Sequence, residues 1–366
     1  MASIDQDPLV GKTFDGRYAI ESRIAAGGMG AIYRARQLST RREVALKVIR
    51  ESAMSKPNIV KRFTREMRAT SAIDHPNSVQ VYDFGQTEDG ALFLAMELLN
   101  GRTLSQIIKA GGPLEPDRAA RVATQIALAL GAAHRQKILH RDLKPSNIMI
   151  ADVPGQPDMV KVLDFGIARF LESAREEDME TLTMNGRVMG TPQFMAPEQI
   201  AQRGLSPATD MYALGVLLYL MVTGRPPFRG KPLEIMQQHV QKKAKPPVAL
   251  RSDVPDWLNE AILFMLEKDP TKRPPNAEAV VELLQRPKSE DEVPTAVPGR
   301  PGGRAPRSED RAGNADDSTI KIQMHTHETG GLTAQTMAMW GVPVLILFGL
   351  MAVLVAGLVL YLVAGG

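Results

Sequence analysis

Apolar positions follow three rhythms along this chain. In the first hundred residues they alternate or run in short blocks. Tyr18 to Glu21, Ala31 to Arg36 and Val44 to Lys47 read as β-strands, and the runs at 79 to 82 and 91 to 96 read as a hairpin joined by Thr87, Glu88, Asp89 and Gly90. One helix interrupts them, Lys61 to Ser71, with Phe63 and Met67 on one face and Glu66 beside them. The second rhythm is helical and longer: Asp117 to Gln136, rich in Ala and Leu, has the periodicity of a buried helix. The third is unbroken. Val342 to Val363 is almost continuously apolar, and no charged residue follows Glu328. As a helix rising about 1.5 Å per residue this stretch spans roughly 33 Å, enough for a bilayer's hydrocarbon core. It is apolar on every side rather than striped, so it predicts a transmembrane helix over 338–363 instead of a core helix.

Composition changes the picture in the remaining stretches. Residues 287–337 turn to Pro, Gly, Arg and mixed acids, with too few apolar positions to sustain a core, and predict a disordered linker. A chain of 366 residues exceeds one ordinary core, which implies a two-lobed catalytic unit with appendages. Basic and acidic residues, 44 and 41, are interleaved to a net charge of +3, and the absence of a basic stripe argues against nucleic-acid binding. With no cysteine there is no disulfide, Cys-zinc site or Cys nucleophile. The histidines lack metal-ligand spacing, His325 and His327 standing alone in the linker. Met1 to Pro8 carries two aspartates and no basic or apolar run, so no export signal is expected there. Only Ala364, Gly365 and Gly366 follow the apolar helix, and no sensor domain is expected beyond it.

The candidate chemistry lies in His140, Arg141, Asp142, Leu143, Lys144, Pro145, Ser146, Asn147 and, further on, Asp164, Phe165, Gly166. Phosphoryl transfer needs a carboxylate to position the attacking hydroxyl and oxygen ligands to hold Mg²⁺ against nucleotide phosphates. Asp142 suits the first role; Asn147 and Asp164 suit the second, because hard cations favour carboxylate and amide oxygens. Upstream, Ile24 to Gly30 forms a glycine-rich turn of the kind that lets backbone N–H groups approach phosphates. Val44, Ala45, Leu46, Lys47 then supplies a lysine from a strand.

Taken in order and spacing, these motifs resemble a eukaryotic-like serine/threonine protein kinase of the kind found in bacteria, over about Tyr18 to Arg286. A lone His-Arg-Asp tripeptide would be weak; the full set is specific. The resemblance implies an α+β, bilobal fold, with a β-rich N-lobe over 18–99 carrying one main helix and a helical C-lobe over 100–286, after an N-terminal lead at 1–17. It implies ATP and Mg²⁺, with Mn²⁺ as a substitute. Asp142 would be the catalytic base, Lys144 would steady the transferring phosphate, and Lys47 would bind the α- and β-phosphates with Glu66 as its ion-pair partner. Nucleotide contacts would come from Ile24, Ala25, Ala26, Gly27, Gly28, Met29, Gly30, Ala31, Ile32, Ala45, Glu97, Leu99 and Met149, with Met96 at the back of the pocket. Ala25 stands where the family has the first glycine of its loop, a departure expected to weaken nucleotide binding without abolishing it.

Asp83, Phe84, Gly85 repeats the Asp-Phe-Gly motif but lies inside the predicted hairpin and is rejected as a metal site. Gly190, Thr191, Pro192 resembles the loop that receives the substrate residue, and Thr191 with Lys144 marks Ser/Thr rather than Tyr acceptors. The resemblance makes Asp210 the anchor of the His-Arg-Asp backbone and Arg273 the partner of Glu198. Thr181 and Thr183 are candidate phosphosites facing Arg141 and Arg169. The tail implies a single-pass protein of the cytoplasmic membrane with its catalytic domain in the cytoplasm, dimerising for autophosphorylation in trans. Two rivals remain: a pseudokinase scaffold, favoured only by Ala25, and a small-molecule kinase, opposed by Gly190 to Pro192 and Ala196 to Glu198.

Overall fold

The computed structural model describes residues 7–27, 30–49, 57–165 and 192–285. Gly28, Met29, Thr181, Thr183, Thr191, the linker at 287–337 and the apolar stretch at 338–363 lie outside the described residues.

The small lobe is a six-stranded antiparallel sheet ordered β1-β2-β3-β4-β6-β5. Its strands are β1 (Thr13–Phe14), β2 (Tyr18–Gly27), β3 (Gly30–Gln37), β4 (Glu43–Ile49), β5 (Val81–Gln86) and β6 (Leu92–Glu97). Successive side chains of a strand face opposite ways, and here both faces are covered. Ala31, Tyr33, Val44, Leu46, Phe93 and Ala95 pack to one side; Ala45, Ile49, Leu92, Leu94 and Met96 pack to the other with Phe63 and Met67 of α1 (Pro57–Ser71). Lys47, two residues after Ala45, therefore shares the α1 face of β4.

Two boundaries differ from those the sequence predicts. The sheet begins at Thr13 rather than Tyr18, because Thr13 pairs with Ala19 and Phe14 with Tyr18. A two-residue strand is too short to leave a periodic trace, so residues placed in an N-terminal lead belong to the lobe. The glycine-rich turn is also narrower than predicted: β2 continues to Gly27 and β3 starts at Gly30, with Ala25 paired to Ile32 and Ala26 to Ala31. The second Asp-Phe-Gly motif lies within β5, as the hairpin reading requires. Asp83 accepts hydrogen bonds there from Arg17 (2.7 Å) and the Tyr18 hydroxyl (2.6 Å).

The large lobe is built on α2 (Leu104–Gly111), α3 (Pro116–Arg135), α4 (Pro197–Ile200), α5 (Pro207–Thr223), α6 (Pro232–Gln241), α7 (Asp256–Met265) and α8 (Ala277–Leu284). Its core gathers the apolar faces of α3, α5, α7 and α8. Nearly all of α5 is buried, which is why its sequence is apolar on every side. A three-stranded sheet, β7 (Gly101–Thr103), β8 (Ile148–Val153) and β9 (Gln156–Val162), lies beside this core. Backbone bonds from Val79 N to Val162 O (3.0 Å) and from Val162 N to Asn77 O (2.8 Å) tie it to the segment entering β5. That tie fixes where residues after β9 emerge beneath the small lobe.

Candidate active site

Three segments meet between the lobes: β4, the loop from His140 to Asn147, and Leu163 to Phe165 just past β9. The loop is held from below. Asp210, in the first turn of α5 and fully buried, accepts the backbone N–H of His140 (2.9 Å), that of Arg141 (3.0 Å) and a contact with His134 Nε2 (2.8 Å). Burial pushes the Asp210 carboxyl up, but the hydrogen bond and charge of His134 and the Arg141 N–H outweigh it and hold the group below the ordinary carboxylate value. The anchoring role expected of Asp210 is thus present as geometry. Gln199 of α4 donates to the Arg141 carbonyl at 2.8 Å, so both peptide groups of Arg141 are engaged.

His140 is buried and fastens the loop to the next segment. Its Nδ1 lies 3.3 Å from the Asp142 N–H, and its Nε2 lies 2.9 Å from the Leu163 carbonyl. The neutral tautomer with the proton on Nε2 satisfies both contacts. Its ring meets Phe165 edge-on at 4.9 Å, and Leu163 N donates to Asn147 O at 2.8 Å.

On this base stands the Asp142 carboxylate, 35% exposed and therefore within reach of a solute. Lys144 Nζ lies 2.5 Å from Asp142 Oδ2; Asn147 Nδ2 donates to the Asp142 carbonyl at 2.8 Å and to Oδ2 at 3.3 Å. The amide hydrogens of Asn147 point at Asp142, which leaves its Oδ1 as a ligand for a hard cation. Across the cleft Asp164 Oδ1 lies 2.7 Å from Lys47 Nζ. Among the described residues the ion pair of Lys47 is thus with Asp164, whereas the resemblance implies Glu66 as its partner. The left-handed backbone of Asp164 (φ 62°) turns its carboxylate to the α1 face of β4, where Lys47 stands. Glu66 lies half-buried on α1 between buried Phe63 and Met67.

The donor set fits magnesium better than a preformed protein cage. Among the described residues no group of three or more His, Asp or Glu is placed to hold a metal. One carboxylate and one amide oxygen match a cation that takes its remaining ligands from water and nucleotide phosphates.

Above the cleft, cross-strand partners share a face, so Ala25 stands beside Ile32 and Gly27 beside Gly30. Gly30 has φ 144°, and a Cβ there would come within 2.0 Å of the Val48 carbonyl oxygen, so the hairpin requires glycine at that position. Among the described residues nothing would meet a Cβ at Gly27, so the hairpin itself leaves room there for close approach of a ligand. Ile32, Ala45, Met96 and Leu99 join one apolar cluster with Leu163, whereas Met149 lies half-buried on β8, opposite Thr103 and Lys161. The Glu97 side chain is engaged structurally, its Oε1 accepting Lys161 Nζ (2.7 Å) and the Gln80 N–H (2.8 Å), and its own N–H donates to the Gln80 carbonyl (2.9 Å). Gln199, His134 and Lys161 are not legible in the sequence, since none lies in a motif and each acts through bonds to residues distant in the chain.

A buried pair supports the region from behind. Arg273 places all its N–H groups: Nη1 and Nη2 on Glu198 (2.7 and 2.9 Å) and on the carbonyls of Ala208 (2.9 Å) and Lys268 (3.0 Å), and Nε on that of Glu267 (2.7 Å).

The protein kinase domain family matches residues 18–285. The chain is 44% identical over 288 residues to serine/threonine-protein kinase pkn3 of Myxococcus xanthus, covering 78% of this chain and 52% of that protein. It is 39% identical over 272 residues to serine/threonine-protein kinase PrkC of Bacillus subtilis, covering 74% and 40% respectively. With serine/threonine-protein kinase PknA of Mycobacterium tuberculosis it shares 36% over 341 residues, covering 88% and 75%. The chain thus spans about half, or less, of the first two relatives' length. In three dimensions it resembles the PknI kinase domain of Mycobacterium tuberculosis with a TM-score of 0.59 and 23% identity, over 75% of this chain and 96% of that one, a likeness of fold. The two-lobed architecture, the loop anchored on Asp210 and the family match over most of the sequence lead to one conclusion: this chain belongs to the protein kinase domain family.

Proposed function

We propose that this chain is a protein serine/threonine kinase that transfers the γ-phosphoryl group of ATP to Ser and Thr hydroxyls of proteins in bacterial signalling. One observation carries the reading: an accessible Asp142 carboxylate fixed by Lys144 and Asn147, facing a Lys47 and Asp164 pair from the other wall of the cleft. Asp142 accepts the proton of the attacking hydroxyl as its oxygen bonds to the γ-phosphorus, the bond to the bridging oxygen breaks, and ADP leaves. Lys144, next to Asp142, offsets charge on the transferring group, and Lys47 holds the α- and β-phosphates with Glu66 as its further carboxylate. Asn147 and Asp164 would hold Mg²⁺, or Mn²⁺ in its place, which when bound neutralises phosphate charge.

The same reading covers regulation and place. Phosphate on Thr181 or Thr183 would pair with Arg141 and order the segment that carries Thr191. The apolar stretch at 338–363 would tether the protein to the cytoplasmic membrane, with the catalytic domain on the cytoplasmic side, where confinement favours dimers and autophosphorylation in trans. Among the described residues no helix is long and apolar enough to cross a membrane, so the sequence alone supports the tether.

The test is to incubate the purified protein with Mg²⁺, [γ-³²P]ATP and a generic protein substrate, then hydrolyse the product. Label on phosphoserine and phosphothreonine is the expected result. Label on phosphotyrosine alone, or transfer only to small molecules, would overturn the reading.

A further inference from the structure

The second strand of the small lobe carries the nucleotide-facing hairpin, yet among the described residues it has little support on its outer edge. β1 pairs only with Tyr18 and Ala19, and among the described residues the last backbone bonds on that edge join Ile20 to Gly11 (3.0 Å) and Lys12 (2.9 Å). From Glu21 to Gly27, β2 is bonded to β3, and among the described residues one further segment bonds to it. That segment is the N-terminal stretch, through Asp7. Its carboxylate, 6% exposed, accepts Arg23 Nη1 at 2.9 Å, the Tyr33 hydroxyl at 3.1 Å and the Leu9 N–H at 3.1 Å.

Arg23 and Tyr33 are direct partners across the β2–β3 ladder, so Asp7 closes a clamp over one cross-strand pair. The place of that pair matters, because the register shifts between Arg23 and Ala25. Ile24 becomes the extra residue of a bulge and stands 52% exposed. A bulge bends its strand, increases local twist and re-aims the residues beyond it. Those residues are Ala25, Ala26 and Gly27, opposite Ile32, Ala31 and Gly30, the hairpin that faces the nucleotide. Tyr33 is buried in the outer core with Phe14 and Tyr18, so the clamp is referenced to a rigid part of the lobe. A buried carboxylate bound to a guanidinium is also among the stronger hydrogen-bonded pairs.

We propose that Asp7 is a positioning residue for nucleotide binding: by clamping Arg23 and Tyr33 at the bulge it sets the angle at which the hairpin lies over the phosphates. The inference rests on the kinase reading above and extends the working domain upstream of Tyr18. Asp7 touches no substrate, so its effect belongs in ATP affinity rather than in the chemical step.

The experiment compares the full chain with Asp7→Ala, Arg23→Ala and the double variant, measuring the Kd of a fluorescent ATP analogue, KM for ATP, kcat and Tm. Each single variant should raise Kd and KM by about five- to tenfold with kcat within about twofold, a coupling of the usual size between linked sites. The double variant should be no worse than either single one, because both open the same clamp. A merely structural role would lower Tm and the active fraction, hence kcat, with KM and Kd unchanged; that result overturns the proposal. So does additivity in the double variant. If Asp7→Ala does not fold, Asp7→Asn, which keeps volume and removes charge, gives the same reading. A wild-type protein that binds the analogue but transfers no phosphoryl group would contradict the kinase reading instead, since the Kd comparison stands without turnover.

Discussion

Arg141 and Asp164, on either side of the reacting groups, hold left-handed backbone at φ 64° and 62°. For residues with a side chain this costs of order 1 to 3 kcal/mol each and persists only where neighbours enforce it. Around Arg141 the enforcing groups are Asp210 on its N–H and Gln199 on its carbonyl. Replacing Asp210 by Ala removes the acceptor of both loop amides at once and should destabilise the fold by about 3 kcal/mol while lowering kcat. Urea unfolding and steady-state kinetics check this, and unchanged values would deny the loop its anchor. Ala25 is the second residue-scale test. Its methyl shares the Ile32 face of the hairpin, so Ala25→Gly should lower the KM for ATP; an equal or higher KM would show that the methyl is harmless there. Motif spacing made Asp142, Asn147 and Asp164 legible in the sequence because one short loop and one strand end bring them together. The Lys47 to Asp164 bond was not legible, since it depends on the backbone turn at Asp164 and no residue type announces that turn.

Among elements, α4 and α5 are the least legible in function: the resemblance points to Ala196 to Glu198 and to Asp210 and leaves Gln199 unmarked. α4 is a single turn, yet it delivers Glu198 to Arg273 and Gln199 to Arg141. The resemblance supplied the Glu198 and Arg273 pairing, and the structure shows why it holds: the guanidinium is fully buried and every N–H has a partner. Glu198→Ala strands that buried charge and should cost about 3 to 5 kcal/mol, more than the intact pair contributes over an apolar substitute. Denaturant titration of Glu198→Ala beside an Arg273→Met/Glu198→Leu variant separates the two effects, and the double change should be the milder. β1 and the Asp7 segment, by contrast, lie upstream of the sequence motifs and too close to the chain start to show periodicity.

At the scale of the whole molecule, acid stability has a specific expected shape. Buried His239 lies between the Tyr212 hydroxyl (2.8 Å from Nδ1) and the Gln193 carbonyl (3.1 Å from Nε2), while Lys268 donates to Tyr212 at 3.1 Å. Burial first, then the Lys268 charge, push His239 down to about 4. A pKa lowered on folding means that the unfolded chain binds the proton more readily. The stability from neutral His239 is therefore complete above about pH 6.5 and is lost as pH falls toward 4, roughly 3 kcal/mol in all. Asp210 and Glu198, also lowered, extend the loss through and below the ordinary carboxylate range. Tm should fall between pH 6.5 and 4 in wild type and fall less in His239→Gln; parallel curves would refute the assignment. Whether Asp142 serves the chemical step and not nucleotide binding is read from single-turnover phosphotransfer in Asp142→Asn beside the Kd for ATP. The Kd of Asp142→Asn should stay within a few-fold of wild type while transfer slows by about 10³-fold or more. Transfer at near wild-type rate by that variant would contradict a role in the chemical step.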